Sequence, residues 1–128
     1  MVHLQQPAES KLCGQTCVAM AAGISIEDAI LSVGHRHATR LPELLKAFRE
    51  FGISRVGTKR TRWNGRSAPP RFSLLSMLFH KPGEKHHGHW LLNWDGVIHD
   101  PSCSYAGVHS SGGRFSSLIE LVPPETGK

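Results

Sequence analysis

The hydrophobic period of this chain changes once, at Gly52, and that change constrains its fold more than any other feature. Before it, the residues favour helices. CGQTCVAMAAG, from Cys13 to Gly23, is small and apolar almost throughout and ends at a glycine suited to leaving a helix. Ser25 predicts the N-cap of a second helix, with Asp28 three residues on and Gly34 closing it. Leu41, Leu44, Leu45 and Phe48 form an apolar stripe for a third helix, starting near Thr39 and ending at Gly52. Pro42 stands early enough in that helix to be tolerated.

After Gly52 the segments read as strands. ISRVG is short, and RFSLLSMLF has strand length, although period alone leaves it open to a short helix. HWLLNW and VIHDP flank Asp95-Gly96, a strong hairpin signal. RFSSLIELV adds a last strand before Pro123-Pro124, while TKRTRWNGRSAPP and KPGEKHHG read as polar loops. Helices first and antiparallel strands after give an α+β layout, expected as one domain over residues 1–128.

Composition narrows the function classes. The 128 residues are 39% hydrophobic and 20% charged, as in a globular chain that folds without disulfides or a structural metal. No stretch approaches the roughly 20 apolar residues of a membrane span. MVHLQQPAESKL lacks the basic start and apolar core of a signal peptide, so a cytoplasmic protein is expected. The formal charge is +5, but the basic residues are scattered except for Lys59, Arg60, Arg62, Arg66 and Arg71. That run reads as a solvated loop face, and no nucleic-acid motif accompanies it. Three cysteines leave at least one thiol unpaired in a monomer, which raises the question of a nucleophile.

Cys13 stands where a loop becomes a helix. The positive end of the macrodipole and unpaired backbone N–H groups there favour the thiolate, which is the reactive form. Gly14 beside it is expected to leave the backbone open to a substrate. Cys17, one turn further on, reads as a buried small hydrophobe, and Cys103 as a surface thiol in preference to one near the cleft. Of the nine histidines, His89 has the best context for a base, because a strand fixes its direction. If Asp95-Gly96 is a two-residue loop, Leu91 lies opposite Asp100, and His89 and Asp100 become diagonal neighbours on one face. Asp100 is then placed to orient the imidazole. Gln6, or else Gln5, is the candidate side-chain donor to an oxyanion, beside the backbone N–H of Cys13. Trp90 and Trp94 share a strand face as core or cleft wall. Thr58 to Arg71 and Lys81 to Gly88 are candidate cleft walls.

Two readings without catalysis compete. Cys13, Cys17, His86, His87, His89 and His99 are ligand types for zinc, but CxxxC on one helix is not a common finger spacing. A peptide-binding module of the same fold is the other. Neither is preferred, and no cofactor or metal is expected.

These elements, in this order, resemble papain-like cysteine peptidases, most closely those that process bacteriocin leaders, and their stand-alone relatives. The resemblance rests on CGQTCVAM from Cys13 to Met20, on Gly88-His89-Trp90 and on Asp100-Pro101, and runs from about residue 4 to about residue 104. It implies a papain-like fold with N-terminal helices packed on an antiparallel sheet. It also implies Cys13 as nucleophile, His89 as general base, Asp100 as third triad member and a peptide or protein as substrate. Side-chain deamidation or transamidation by a toxin or effector would use the same triad. The chain departs from the family at Leu12, where an aspartate is usual, and at Pro7, where the usual glutamine falls one residue later than Gln6.

Overall fold

The computed structural model describes residues 1–79, 87–102 and 113–124, with the side chain of His87 outside that description. Three helices come first: α1 (Cys13–Ala22), α2 (Ile26–Val33) and α3 (Leu41–Glu50). Local chemistry sets their ends. Gly23 and Gly34 close α1 and α2 in the left-handed conformation, and the Ser25 hydroxyl accepts the Asp28 N–H at 3.0 Å. The third helix starts slightly later than Thr39, with Arg40 as N-cap, and Glu43 Oε1 accepts the Arg40 N–H at 2.8 Å.

Six strands follow: β1 (Ser54–Arg55), β2 (Thr61–Arg62), β3 (Phe72–Phe79), β4 (His87–Trp94), β5 (Val97–His99) and β6 (Arg114–Val122). They form one antiparallel sheet in the order β1-β6-β3-β4-β5, with β2 also pairing to β6. The described residues thus form three helices followed by an antiparallel sheet, an α+β arrangement. Among the described residues no single helix is long and apolar enough to cross a membrane; α1 and α2 reach that length only together, across a 111° bend.

The sheet is buried on both faces at its centre. Leu74, Leu92 and Ile119 join the core with Cys17, Val18 and Met20 of α1 and Leu44 and Phe48 of α3. Their neighbours Leu75, Leu91 and Leu118 point the other way, into a second cluster with Trp63 and Met77. This is why FSLLSMLF shows no alternation: residues on both faces of β3 are apolar because both faces are covered. It is also where the reading of TKRTRWNGRSAPP as a polar loop needs correcting. Thr61 and Arg62 pair with β6, and Trp63 is buried with its Nε1 donating to the Ser67 carbonyl at 3.1 Å.

The turn between β4 and β5 sets the geometry of the site. Trp94 pairs with Val97 and Leu92 with His99, so the loop is the two residues Asp95-Gly96. Both have positive φ, 54° and 83°, as a type I′ turn requires. Arg71 braces it with an ion pair to Asp95.

Candidate active site

Cys13 is the first residue of α1 and a free, half-buried thiol. Leu12, at the N-cap, is 5% exposed and supplies no side-chain cap, so no side chain at that position takes up the N–H groups of the first turn. Those N–H groups and the helix dipole lie beside the thiol. Gly14 is not open to a substrate as expected from the sequence. It is buried, and a Cβ there would lie 2.1 Å from Thr39 Oγ1 and 2.9 Å from Leu44 Cδ2. The glycine next to Cys13 exists to let Thr39 and α3 approach the helix start.

His89 projects from β4 towards Cys13 and Asp100. Its Nε2 is 2.7 Å from Asp100 Oδ1, and the two side chains are 11% and 1% exposed. The Phe79 ring meets the imidazole edge-on at 5.9 Å. Cys13 lines the same cavity and acts on the imidazole electrostatically. With Nε2 engaged by Asp100, Nδ1 is the nitrogen left to face the thiol. Burial alone would lower the His89 pKa. The hydrogen bond to Asp100 and the interaction with Cys13, with the negative charges of both, outweigh it and raise the pKa to about 9. At neutral pH the imidazole is therefore the cation.

Asp100 is fully buried, and its Oδ1 also accepts the Ser102 N–H at 2.9 Å and the Ser102 hydroxyl at 2.7 Å. Three donors on one oxygen fix the direction of the carboxylate. The sequence reading missed Ser102, although Asp-Pro-Ser carries the signal: an aspartate oxygen taking the N–H two residues on is an Asx turn. Cys17 is wholly buried in the core. Burial first, then the charges of Cys13 and Asp100, push its thiol well above the ordinary value, so it stays neutral.

The structure does not bring Gln6 to the cleft. Its Nε2 donates to the Ser10 carbonyl at 2.9 Å, its backbone N–H donates to the Pro101 carbonyl at 2.8 Å, and its buried Oε1 has no partner among the described residues. Gln5 is exposed. Gln6 instead ties the N-terminal segment to the residue after Asp100. Gln15, also missed from the sequence, is 0% exposed and donates through Nε2 to the carbonyls of His35 and His37 at 3.0 and 2.9 Å. It anchors the segment that leads to Thr39, whose carbonyl in turn accepts from Trp90 Nε1 at 3.4 Å.

These groups open onto a cavity of about 450 Å³ lined by Cys13, His89, Thr39, Trp90, Arg60 and Ser76, among others. The volume lies in the ordinary range of small-ligand clefts, roughly 300 to 1,000 Å³. Of the expected walls, the segment from Thr58 to Arg71 contributes Arg60, while Lys81 to His86 lie outside the described residues, as does Cys103. Trp90 is cleft wall and Trp94 packs on the core. Among the described residues no three His, Cys, Asp or Glu side chains are grouped to hold a metal. His99 stacks on His3 with their Nδ1 atoms 3.0 Å apart, and His86 is not described. No protein-family model matches the chain, and no curated protein matches it significantly.

Proposed function

We propose that the protein is a papain-like cysteine hydrolase that cleaves a peptide or protein amide bond through Cys13, His89 and Asp100. One observation carries the reading: a half-buried thiol at a helix start lines the same cavity as an imidazole whose Nε2 is held by a buried carboxylate, and it raises the pKa of that imidazole. The order of the parts, thiol on the first helix, histidine on a strand and aspartate after the next strand, supports the papain-like assignment. The motifs shared with leader-processing peptidases support a peptide substrate.

The chemistry follows from the positions. Cys13 thiolate, paired with the His89 cation, attacks the amide carbonyl carbon. Charge developing on the oxygen meets the N–H groups of the first turn of α1, with no need for the Gln6 amide. The C–N bond breaks as His89 passes its proton to the leaving amine, which leaves a thioester on Cys13. His89, now neutral, takes a proton from water as the oxygen attacks the thioester carbon; the C–S bond breaks, which frees the acid and restores the Cys13 thiolate beside the His89 cation. Asp100 keeps Nδ1 aimed at the thiol and stabilises the cation formed at each stage. Deamidation or transamidation passes through the same thioester and differs only in the amide attacked or the acceptor.

The test is site-resolved alkylation by iodoacetamide across pH, followed by mass spectrometry, in wild type and His89→Ala. Cys13 is expected to react well below pH 7 and Cys17 to stay unlabelled. The Cys13 rate should drop at least about tenfold in the variant, because the paired cation that supports the thiolate is gone. Reaction only above a pH of about 8.5, the same in both proteins, would remove the triad and leave a peptide-binding role.

A further inference from the structure

The cavity beside Cys13 and His89 carries more polar equipment than hydrolysis needs. Its floor holds three serines from two strands. Ser76 Oγ is 2.6 Å from Ser117 Oγ and 2.9 Å from Ser116 Oγ. The cluster exists because β6 carries a bulge there: Ser76 pairs with Ser117, but Met77 pairs with Phe115, so Ser116 is the extra residue. Ser76 and Ser117 are nearly buried, at 7% and 8% exposed, although the core beside them is apolar. In each contact either oxygen can donate. Run from Ser116 through Ser76 to Ser117, the network leaves the Ser117 hydroxyl proton for an occupant of the cavity.

Arg60 lines the cavity together with these serines. Its guanidinium carbon sits 5.2 Å from the centre of the Trp90 ring, and it lines the same cavity as Cys13 and His89. Stacking on an indole covers one face of the guanidinium and leaves its in-plane N–H fork available. Among the described residues no carboxylate pairs with Arg60, and none lines the cavity. The other members of the basic run differ: Arg71 is paired with Asp95, and Arg66 does not reach the cavity. A stacked arginine beside hydroxyl donors, with no carboxylate on the walls among the described residues, suits a carboxylate bound two-pronged.

We propose that Arg60, with Ser76, Ser116 and Ser117, forms a specificity subsite for a carboxylate-bearing residue next to the bond that Cys13 attacks. The proposal rests on Cys13 being the nucleophile, and it narrows the substrate to a peptide that presents a carboxylate beside the bond attacked. The carboxylate belongs either to a Glu or Asp side chain or to the substrate's own C-terminus.

Thiol-directed probes test it without knowledge of the natural substrate. N-iodoacetyl-glutamate α-amide and N-iodoacetyl-glutamine α-amide have nearly the same shape and differ in charge. N-iodoacetyl-glutamine free acid carries the charge at the terminus instead. Alkylation rates of Cys13 by each are measured at pH 7 in wild type, Arg60→Gln, Arg60→Lys and Arg66→Gln, with iodoacetamide as reference in wild type. One acidic probe should outpace the neutral one about tenfold in wild type, worth about 1.4 kcal/mol of transition-state preference. Which acidic probe wins identifies the source of the carboxylate. The ratio should fall to about one in Arg60→Gln, fall partway in Arg60→Lys, and hold in Arg66→Gln. Equal rates for all three probes in wild type overturn the subsite alone, provided iodoacetamide labels Cys13 rapidly. An equal fall in Arg66→Gln overturns it too, because general charge then explains the preference. Slow labelling by iodoacetamide itself overturns the nucleophile and the subsite together.

Discussion

His89 and Asp100 stand diagonally across a two-residue turn, their Nε2 and Oδ1 atoms 2.7 Å apart, because Asp95 and Gly96 both adopt positive φ. One more residue in that turn would send the two side chains to opposite faces of the hairpin. The pair therefore depends on turn chemistry as much as on its own charges.

Asp100→Asn should separate orientation from charge. The amide keeps the size of the carboxylate but cannot hold the His89 cation, so the Cys13 alkylation rate at pH 7 should fall by about tenfold, less than in His89→Ala. Asp100→Ala should also destabilise the fold by about 1–3 kcal/mol, since the donors of His89 and Ser102 lose their acceptor in a buried place. Urea unfolding of both variants checks the second figure.

The raised His89 pKa has a definite sign in stability. Folded His89 keeps its proton up to about pH 9, whereas an unfolded histidine loses it near 6.5. The contribution is present in full below pH 6.5 and is lost as pH rises through 9. The stability difference between wild type and His89→Gln should therefore shrink steadily over that window, as read by urea melts at pH 6, 7.5 and 9.5. Cys13 alkylation should lose its dependence on His89 above the same pH, where the imidazole is neutral.

Gly14→Ala is expected to cost about 1–3 kcal/mol through overpacking, since the added methyl meets Thr39 Oγ1 and Leu44 Cδ2. Thr39→Ala removes the closer of the two obstacles. The double variant should then be less destabilised than the sum of the singles, and a thermal-melt double-mutant cycle measures that coupling.

Gln15→Leu tests the anchor of the cavity wall. It removes both donors to the His35 and His37 carbonyls in a fully buried position, at a cost of about 1–3 kcal/mol. Hydrogen exchange should quicken around residues 35–40, with α2 and β4 little changed. Uniform acceleration across the chain would mean that Gln15 supports the whole core instead.

What could be read from the sequence followed local rules. Ser25, Gly23 and Gly34 mark helix ends, Asp95-Gly96 dictates its turn type, and the apolar stripe of α3 faces the core, because each rule acts within a few residues. From the turn the register of β4 and β5 follows by counting, so the meeting of His89 and Asp100 was already implied in the sequence. Tertiary contacts decided the rest. Trp63 is buried only because β2 finds β6 more than 50 residues later in the chain. Gly14 is required by Thr39, not by a substrate, and Gln6 turns to Ser10 because the loop folds back on itself. Arg60 reaches the Cys13 cavity by stacking on Trp90, a contact that no spacing announces. Periodicity, caps and turns reach a few residues along the chain, whereas a cavity wall is set by packing between segments far apart in sequence.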